Sequence, residues 1–200
     1  MHHDFETWFE GKDGTLLREM GAKVTYTEDL STVAGALADV DILYLAANQP
    51  VEDADTQDAI IQYAEAGGSL LLVHPALWYN WANWPAYNSV LAGGGSRSHP
   101  PYGSFQVDIT DAAHPIMEGV PSTFEVTDEL YRFERAEDGS SIHVLAEGTE
   151  EETGDRFPVI FTVNHPTARI VGITLGHDGA THELPAYEAV LKNSIAWLIQ

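Results

Sequence analysis

The stretch YAEAGGSLLLVHPALW, from Tyr63 to Trp78, decides the fold. Its first part is helical in pattern and stops at Gly67-Gly68, glycine being the residue that most readily ends a helix. Ser69 to His74 then runs almost unbroken as apolar residues. Strands covered on both faces read this way, because neither side of the pleat meets water. Working upstream, Glu52 to Ala66 predicts a helix whose acidic first turn suits the helix dipole. Before it, Asp41 to Ala47 (DILYLAA) and Ala22 to Tyr26 (AKVTY) predict strands, with a short helix over Ser31 to Ala38 between them. Thr7 to Met20 predicts a further helix, weakened by Gly11 and Gly14. Strands separated by helices imply right-handed βαβ units and a parallel sheet. A doubly wound sheet ordinarily opens on a strand, whereas Met1 to Asp4 reads as the loop after one, so either a first strand precedes Met1, which is the favoured expectation, or another segment fills its slot.

Downstream the pattern shifts to short β-like pieces: Ser104 to Thr110, Thr123 to Thr127, Ile142 to Glu147, Phe157 to Val163 and Ala168 to Gly176. A last helix, Glu183 to Ile199, carries Leu184, Tyr187, Leu191, Ile195 and Leu198 on one face. Glu147 to Asp155 (EGTEEETGD) is an acidic connection. With no internal repeat and no linker, residues 1–200 read as one domain.

The chain has 200 residues, of which 31 are acidic and 9 are Lys or Arg, a formal charge of −22. Such a polyanion repels phosphate backbones and anionic membranes alike, so neither nucleic acid nor membrane is an expected partner. No apolar stretch approaches the roughly 18 residues of a membrane span, and the polar opening Met1-His2-His3-Asp4 is no secretory leader, so a cytoplasmic location is expected. Cysteine is absent, which excludes disulfides, thiolate nucleophiles and cysteine-ligated metals. The acidic, lysine-poor surface is of the kind halophiles use to stay dispersed in salt. The melting temperature is accordingly expected to climb as KCl rises to molar concentration, and a flat curve would remove the halophilic reading.

In an open parallel sheet, ligands bind outside the carboxyl ends of the strands. That rule selects Asn48-Gln49 after the Asp41 strand, His74 after the Ser69 strand and His177-Asp178 after the Ala168 strand. His2-His3-Asp4 joins the same edge if a strand precedes it. His74 is the sharpest position, an imidazole fixed at a strand end by Pro75. Trp78, Tyr79, Trp81 and Trp84, interleaved with Asn80 and Asn83, are side chains on which sugar rings stack while amides bond the hydroxyls. The same pattern suits a helix packed on the sheet. His99-Pro100, after Gly93-Gly94-Gly95, reads as a flap over the pocket mouth. Asp128 and Glu129 are adjacent at the end of a strand-like run, so one of the two is expected to reach the pocket, with Asp128 slightly favoured. His143, His165 and His182 carry no signal. No G-x-S-x-G, phosphate loop, G-x-G-x-x-G or H-E-x-x-H motif occurs, which argues against lipase-like, P-loop, dinucleotide and zincin chemistry.

Taken in order, HHDFE, DILYLAANQP, YAEAGGSLLLVHPALW, the SHP at Ser98 to Pro100, AAHPIMEGVPSTFEVTDELYRF, FPVIFTVNHPTARIVGITLGHD and NSIAWLI resemble the trehalose-utilisation (ThuA-like) family, a branch of the class I glutamine-amidotransferase-like superfamily. The resemblance spans nearly the whole chain. It implies an α/β, flavodoxin-like three-layer sandwich with a mostly parallel central sheet, here lacking the usual first strand. It places His74 where amidotransferase relatives carry their cysteine nucleophile, so thiolate hydrolysis of glutamine is excluded. Carried over by motif, the pocket candidates are His3, Asp4, Gln49, His74, His99, Asp128, Glu129, Tyr131, His177 and Asp178, beside the aromatic candidates Trp78 and Trp81. VNHPTARI departs from the family's glycine-containing hairpin.

The expected function is carbohydrate utilisation, on trehalose or a related disaccharide, including 3-keto sugars. His74 or His177 would move protons with Asp128 or Glu129 assisting. No cofactor is fixed by the sequence; in a metal-assisted variant two or three of His3, His74, His177 and Asp178 hold a divalent cation. The alternatives are a non-catalytic sugar-binding or regulatory domain, and a subunit whose strand edges and aromatic segment serve homo-oligomer contacts.

Overall fold

A computed structural model describes residues 3–47, 51–78 and 83–200. The strands are β1 (Ile42–Leu45), β2 (Ser69–Val73), β3 (Gly94–Ser96), β4 (Gly103–Ile109), β5 (Thr123–Asp128), β6 (Phe133–Arg135), β7 (Ile142–Thr149), β8 (Arg156–Val163) and β9 (Ile170–Ile173). The α-helices are α1 (Gly14–Glu19), α2 (Val33–Ala36), α3 (Ala54–Glu65), α4 (Gly179–His182) and α5 (Pro185–Leu198). Seven strands form one sheet in the order β1-β2-β9-β8-β7-β4-β5, and β3 pairs with β6 in a small second sheet.

The run that decides the fold lies where an all-apolar strand must lie. β2 is flanked by β1 and β9, both parallel to it, and Leu70 to Val73 are fully buried. Alternation along the strand divides the core. Leu71 and Val73 pack with Val171, Ile173 and the Tyr187, Leu191 and Ile195 stripe of α5. Leu70 and Leu72 face the other way, onto Ile60 and Ala64 of α3. Two registers of apolar residues two positions apart therefore hold helices on both faces of the sheet. Asp53 caps α3, its carboxylate accepting from the Thr56 N–H at 2.8 Å and the Thr56 hydroxyl at 2.7 Å, and Gly67 at φ +94° closes the helix.

The α/β class thus stands, and several expectations are corrected. The sheet is mixed rather than mostly parallel: beyond β9, the pairings β9-β8, β8-β7, β7-β4 and β4-β5 are all antiparallel. A register shift within β7 interrupts the ladder, and the sheet curls into a half-barrel rather than lying flat in a three-layer sandwich. Residues 22–26 form no strand, because β1 pairs only with β2 among the described residues and the segment has no ladder to join. The expected first helix is wound as a π-helix, Phe5–Asp13, before it continues as α1. The expected helix over Ser31 to Ala38 is split into a 3-10 turn, the four residues of α2 and a second 3-10 turn. In the small sheet, Gly94 (φ +157°) lies against β6 so closely that a Cβ there would collide with the Glu134 carbonyl and the Phe133 ring.

Candidate functional site

Four segments meet at the carboxyl ends of β2 and β9. β2 delivers His74, whose backbone sits at φ +40°, in the left-handed region that a non-glycine residue occupies only under restraint. The restraint is visible. Pro75 turns the chain into a 3-10 turn, His74–Leu77, and the His74 Nδ1–H donates to the Thr174 carbonyl just past β9 at 2.7 Å. That bond assigns the tautomer: Nε2 bears the lone pair and faces the site. The Tyr131 hydroxyl donates to it at 3.3 Å, and the two rings stack with centroids 4.6 Å apart.

Beyond β9 comes His177, 3% exposed, and the chain's first described residue, His3, lies against both imidazoles. Ring centroids are 5.0 Å for His3–His74, 4.8 Å for His3–His177 and 5.5 Å for His74–His177. Glu129, directly after β5, supplies the carboxylate. Its Oε2 is 3.7 Å from His74 Nε2 and 3.4 Å from His177 Nδ1, and its Oε1 is 3.7 Å from His99 Nε2. One donor atom from each of His3, His74, Glu129 and His177 falls within 4.8 Å of all the others. Among the described residues, His3 Nε2 and His177 Nδ1 are buried and have no hydrogen-bond partner.

Asp128 does something else. Its buried carboxylate accepts from the backbone N–H of Gly176 at 2.7 Å, of Glu129 at 2.6 Å and of His177 at 3.4 Å, and from the Thr181 hydroxyl at 2.5 Å. Desolvation pushes its pKa up, and the Thr181 and backbone hydrogen bonds oppose that push. It ties the end of β5 to the loop that presents His177. Thus the two neighbouring carboxylates divide the work, Glu129 facing the imidazoles and Asp128 holding the frame behind them.

Burial sets the charge of the cluster. Desolvation, followed by mutual repulsion with His74 and His177, lowers His3 to about 3. Desolvation likewise lowers His74 to about 3, against the favourable bond to Thr174. Both rings are neutral at pH 7 and offer lone pairs. Their folded values lie below the ~6.5 of an unfolded histidine, so the unfolded chain binds more protons between those limits. Stability is therefore complete above pH ~6.5 and falls as pH drops toward 3. Urea midpoints of metal-free protein should decline in the order pH 8, 6.5, 5; a plateau down to pH 5 would contradict burial of the neutral rings.

An aromatic wall borders the cluster. The Trp78 ring lies 5.1 Å from Tyr131 and 5.4 Å from His99. The His99 Nδ1–H donates to the Pro100 carbonyl at 2.7 Å, leaving its Nε2 directed at Glu129. Tyr131 is buried, and desolvation with the Glu129 and Asp128 charges raises its pKa, so it remains a neutral donor.

The profile of a family described as trehalose utilisation (ThuA) matches residues 12–198. The chain belongs to the ThuA family. No curated protein matches it. In solved structures it is similar to a ThuA-like protein from Bacteroides uniformis ATCC 8492, with TM-score 0.81 and 18% identity over 98% of this chain and 86% of that one. A ThuA-like protein from Parabacteroides merdae ATCC 43184 gives TM-score 0.79 and 21% identity over 100% and 87%. A cytoplasmic protein from Salmonella typhimurium LT2 gives TM-score 0.70 and 15% identity over 94% and 86%. At these identities the likeness is one of fold.

Against this ThuA-family frame, His3, His74, Glu129 and His177 gather at one point, with Tyr131, His99 and Trp78 beside them. Asp4 and Asp178 do not join the donor cluster. Asp4 is exposed and caps the π-helix, accepting from the Thr7 N–H at 2.9 Å. Asp178 caps α4 through the Ala180 N–H at 2.9 Å and accepts from the Tyr102 hydroxyl at 2.9 Å, and it is not among the converging donor atoms. Trp84 is 5% exposed and packs against Tyr87 in the core. Asn48, Gln49, Tyr79, Asn80 and Trp81 lie outside the described residues, as does His2. Sequence reasoning missed Asp13 and His182, which are buried behind the site and hydrogen-bonded at 2.9 Å. Nothing in their local sequence marks them, since each acquires its role from a partner 169 residues away. Among the described residues, no helix is long and apolar enough to cross a membrane.

Proposed function

We propose that this ThuA-family protein is a sugar-processing enzyme of the amidotransferase-like superfamily, acting on trehalose or a keto derivative of a related disaccharide with a divalent cation held by His3, His74, Glu129 and His177. The observation that carries the reading is the set of donor atoms: three imidazoles and one carboxylate within 4.8 Å, two of the ring nitrogens buried with no hydrogen-bond partner among the described residues. Unpartnered buried nitrogens are costly unless something accepts their lone pairs. The 3.4 and 3.7 Å separations around Glu129 Oε2 suit a zinc-like ion, for which bonds of ~2.1 Å give tetrahedral edges of ~3.4 Å. Such an ion would supply Lewis-acid polarisation of a substrate oxygen.

The chain's own residues supply the rest. The Trp78 ring gives a sugar an apolar face to stack on. Tyr131, whose hydroxyl now donates to His74 Nε2, is freed to donate to a substrate oxygen once that lone pair is engaged. His99, outside the donor set, would exchange a proton with a hydroxyl or with a carbon next to a carbonyl.

Incubation with trehalose and with 3-keto disaccharides, followed by mass spectrometry, tests this directly. Product is expected from the protein loaded with metal and not from the chelated protein. Equal turnover after complete metal removal would defeat the metal assignment. A thermal shift with sugar but no product from any of them would make the chain a sugar-binding domain.

A further inference from the structure

A second buried network lies behind the cluster, formed by Asp13, Tyr44, His182 and Tyr187. Asp13 ends the π-helix and is 1% exposed, and His182 ends α4 and is fully buried. His182 Nδ1 is 2.9 Å from Asp13 Oδ1, and its Nε2 is 3.1 Å from the Gly176 carbonyl oxygen. Both ring nitrogens thus face acceptors, whereas a neutral imidazole has only one N–H. Either Asp13 carries a proton and gives its hydrogen bond to Nδ1, or the ring carries both.

The surroundings decide between them. The other carboxylate oxygen, Oδ2, accepts from the Tyr44 hydroxyl at 2.7 Å and the Tyr187 hydroxyl at 3.3 Å. Burial, then the Asp13 charge, holds both phenols well above their ordinary range, so they act as donors. Donors on the carboxylate favour its charged form, and a carboxyl group is intrinsically about 2.6 pK units more acidic than an imidazole. The Trp8, Phe9 and Tyr187 rings pack on His182. Other titratable neighbours among the described residues are His74, neutral at pH 7, Asp128, whose charge is also felt by Tyr187, and Lys12, which feels the Asp13 charge.

The network meets the site at Gly176. Gly176 stands at φ +126°, a conformation that favours glycine, immediately before His177. Its N–H is held by Asp128 Oδ2 at 2.7 Å and its carbonyl by His182 Nε2. We infer that Asp13 and His182 form a buried ion pair whose imidazolium is a positioning residue, clamping the Gly176 carbonyl so that His177 Nδ1 is aimed at Glu129. The metal-affinity part of its test rests on the metal reading above; the protonation part does not.

Ring 15N NMR of the metal-free protein at pH 7.5, with His182→Gln for assignment, reads the charge. Both His182 nitrogens are expected to carry protons, and one is expected to lose its proton in Asp13→Asn. A bare ring nitrogen in the unaltered protein would overturn the ion pair. For positioning, His182→Gln should shift the Gly176 and His177 amide and ring signals and weaken Zn(II) binding roughly 10- to 100-fold, the usual effect of removing an outer-shell partner. Far-UV circular dichroism should be retained. Unchanged His177 signals together with unchanged Zn(II) affinity would refute the positioning role. Should the unaltered protein take up no Zn(II), the metal reading fails and the NMR signals still judge this one. If His182→Gln does not fold, Asp13→Asn carries both readouts.

Discussion

Replacing Glu129 by Gln should weaken divalent-metal binding by more than about 100-fold and abolish turnover while leaving the fold intact. Outer-shell substitutions alone cost metal sites 10- to 100-fold, and Glu129 is the only anion among the four donors. The amide retains the shape but removes the one negative charge among the donors, which imidazoles cannot supply. The fold should survive because the Glu129 side chain is 17% exposed and meets the three histidines only at 3.4 to 3.7 Å. Isothermal titration with Zn(II), circular dichroism and the sugar assay together resolve the outcome. Loss of turnover with full metal affinity would move Glu129 from ligand to proton carrier; retention of both would remove it from the site.

Asp128→Asn should instead act on stability, lowering it by about 3 kcal/mol. Its carboxylate accepts from three backbone N–H groups and one hydroxyl inside the protein. An amide offers one acceptor oxygen and turns an NH2 toward donors, leaving buried groups unpaired at about 1–3 kcal/mol each. Urea unfolding measures the change, and the slope should be unaltered if the denatured state is unaffected. Because the same bonds hold the Gly176–His177 turn, metal affinity should fall as well. A stability change below ~1 kcal/mol would show that water replaces the lost acceptor. Of these two adjacent acidic residues, one substitution therefore reads out as chemistry and the other as folding.

The difference between them marks what the sequence made legible. The period of a strand led to the expectation that one of the pair reaches the pocket, with Asp128 favoured, whereas Glu129 is the one that faces the imidazoles; His74 and His177 follow from the rule that places ligands at the carboxyl ends of parallel strands. The buried run from Leu70 to Val73 likewise announced a central strand. What composition could not show was where the parallel region stops. β7 and β8 have the same apolar, β-branched character whether their neighbours run with them or against them, and direction is a property of connections rather than of residues. Residues 22–26 have the composition of a strand, yet a strand exists only when another edge supplies its hydrogen bonds. Asp178 stood beside His177 as an equally good ligand on paper. It is engaged instead by one local donor, the Ala180 N–H, and one 76 positions distant, the Tyr102 hydroxyl.

The positive φ at His74 and its bond to Thr174 also bear on how the protein is made. Those two residues are 100 positions apart in sequence, and the four donors come from positions 3, 74, 129 and 177. A nascent chain emerging from the ribosome cannot assemble the cluster until His177 has left the exit tunnel, because β9 and the loop after it close the ring. An ion that needs all four donors would then arrive after that point and act as a latch on finished architecture, not as a seed for it. Starving cells of metal during synthesis should yield protein of normal shape that can be activated later in the test tube.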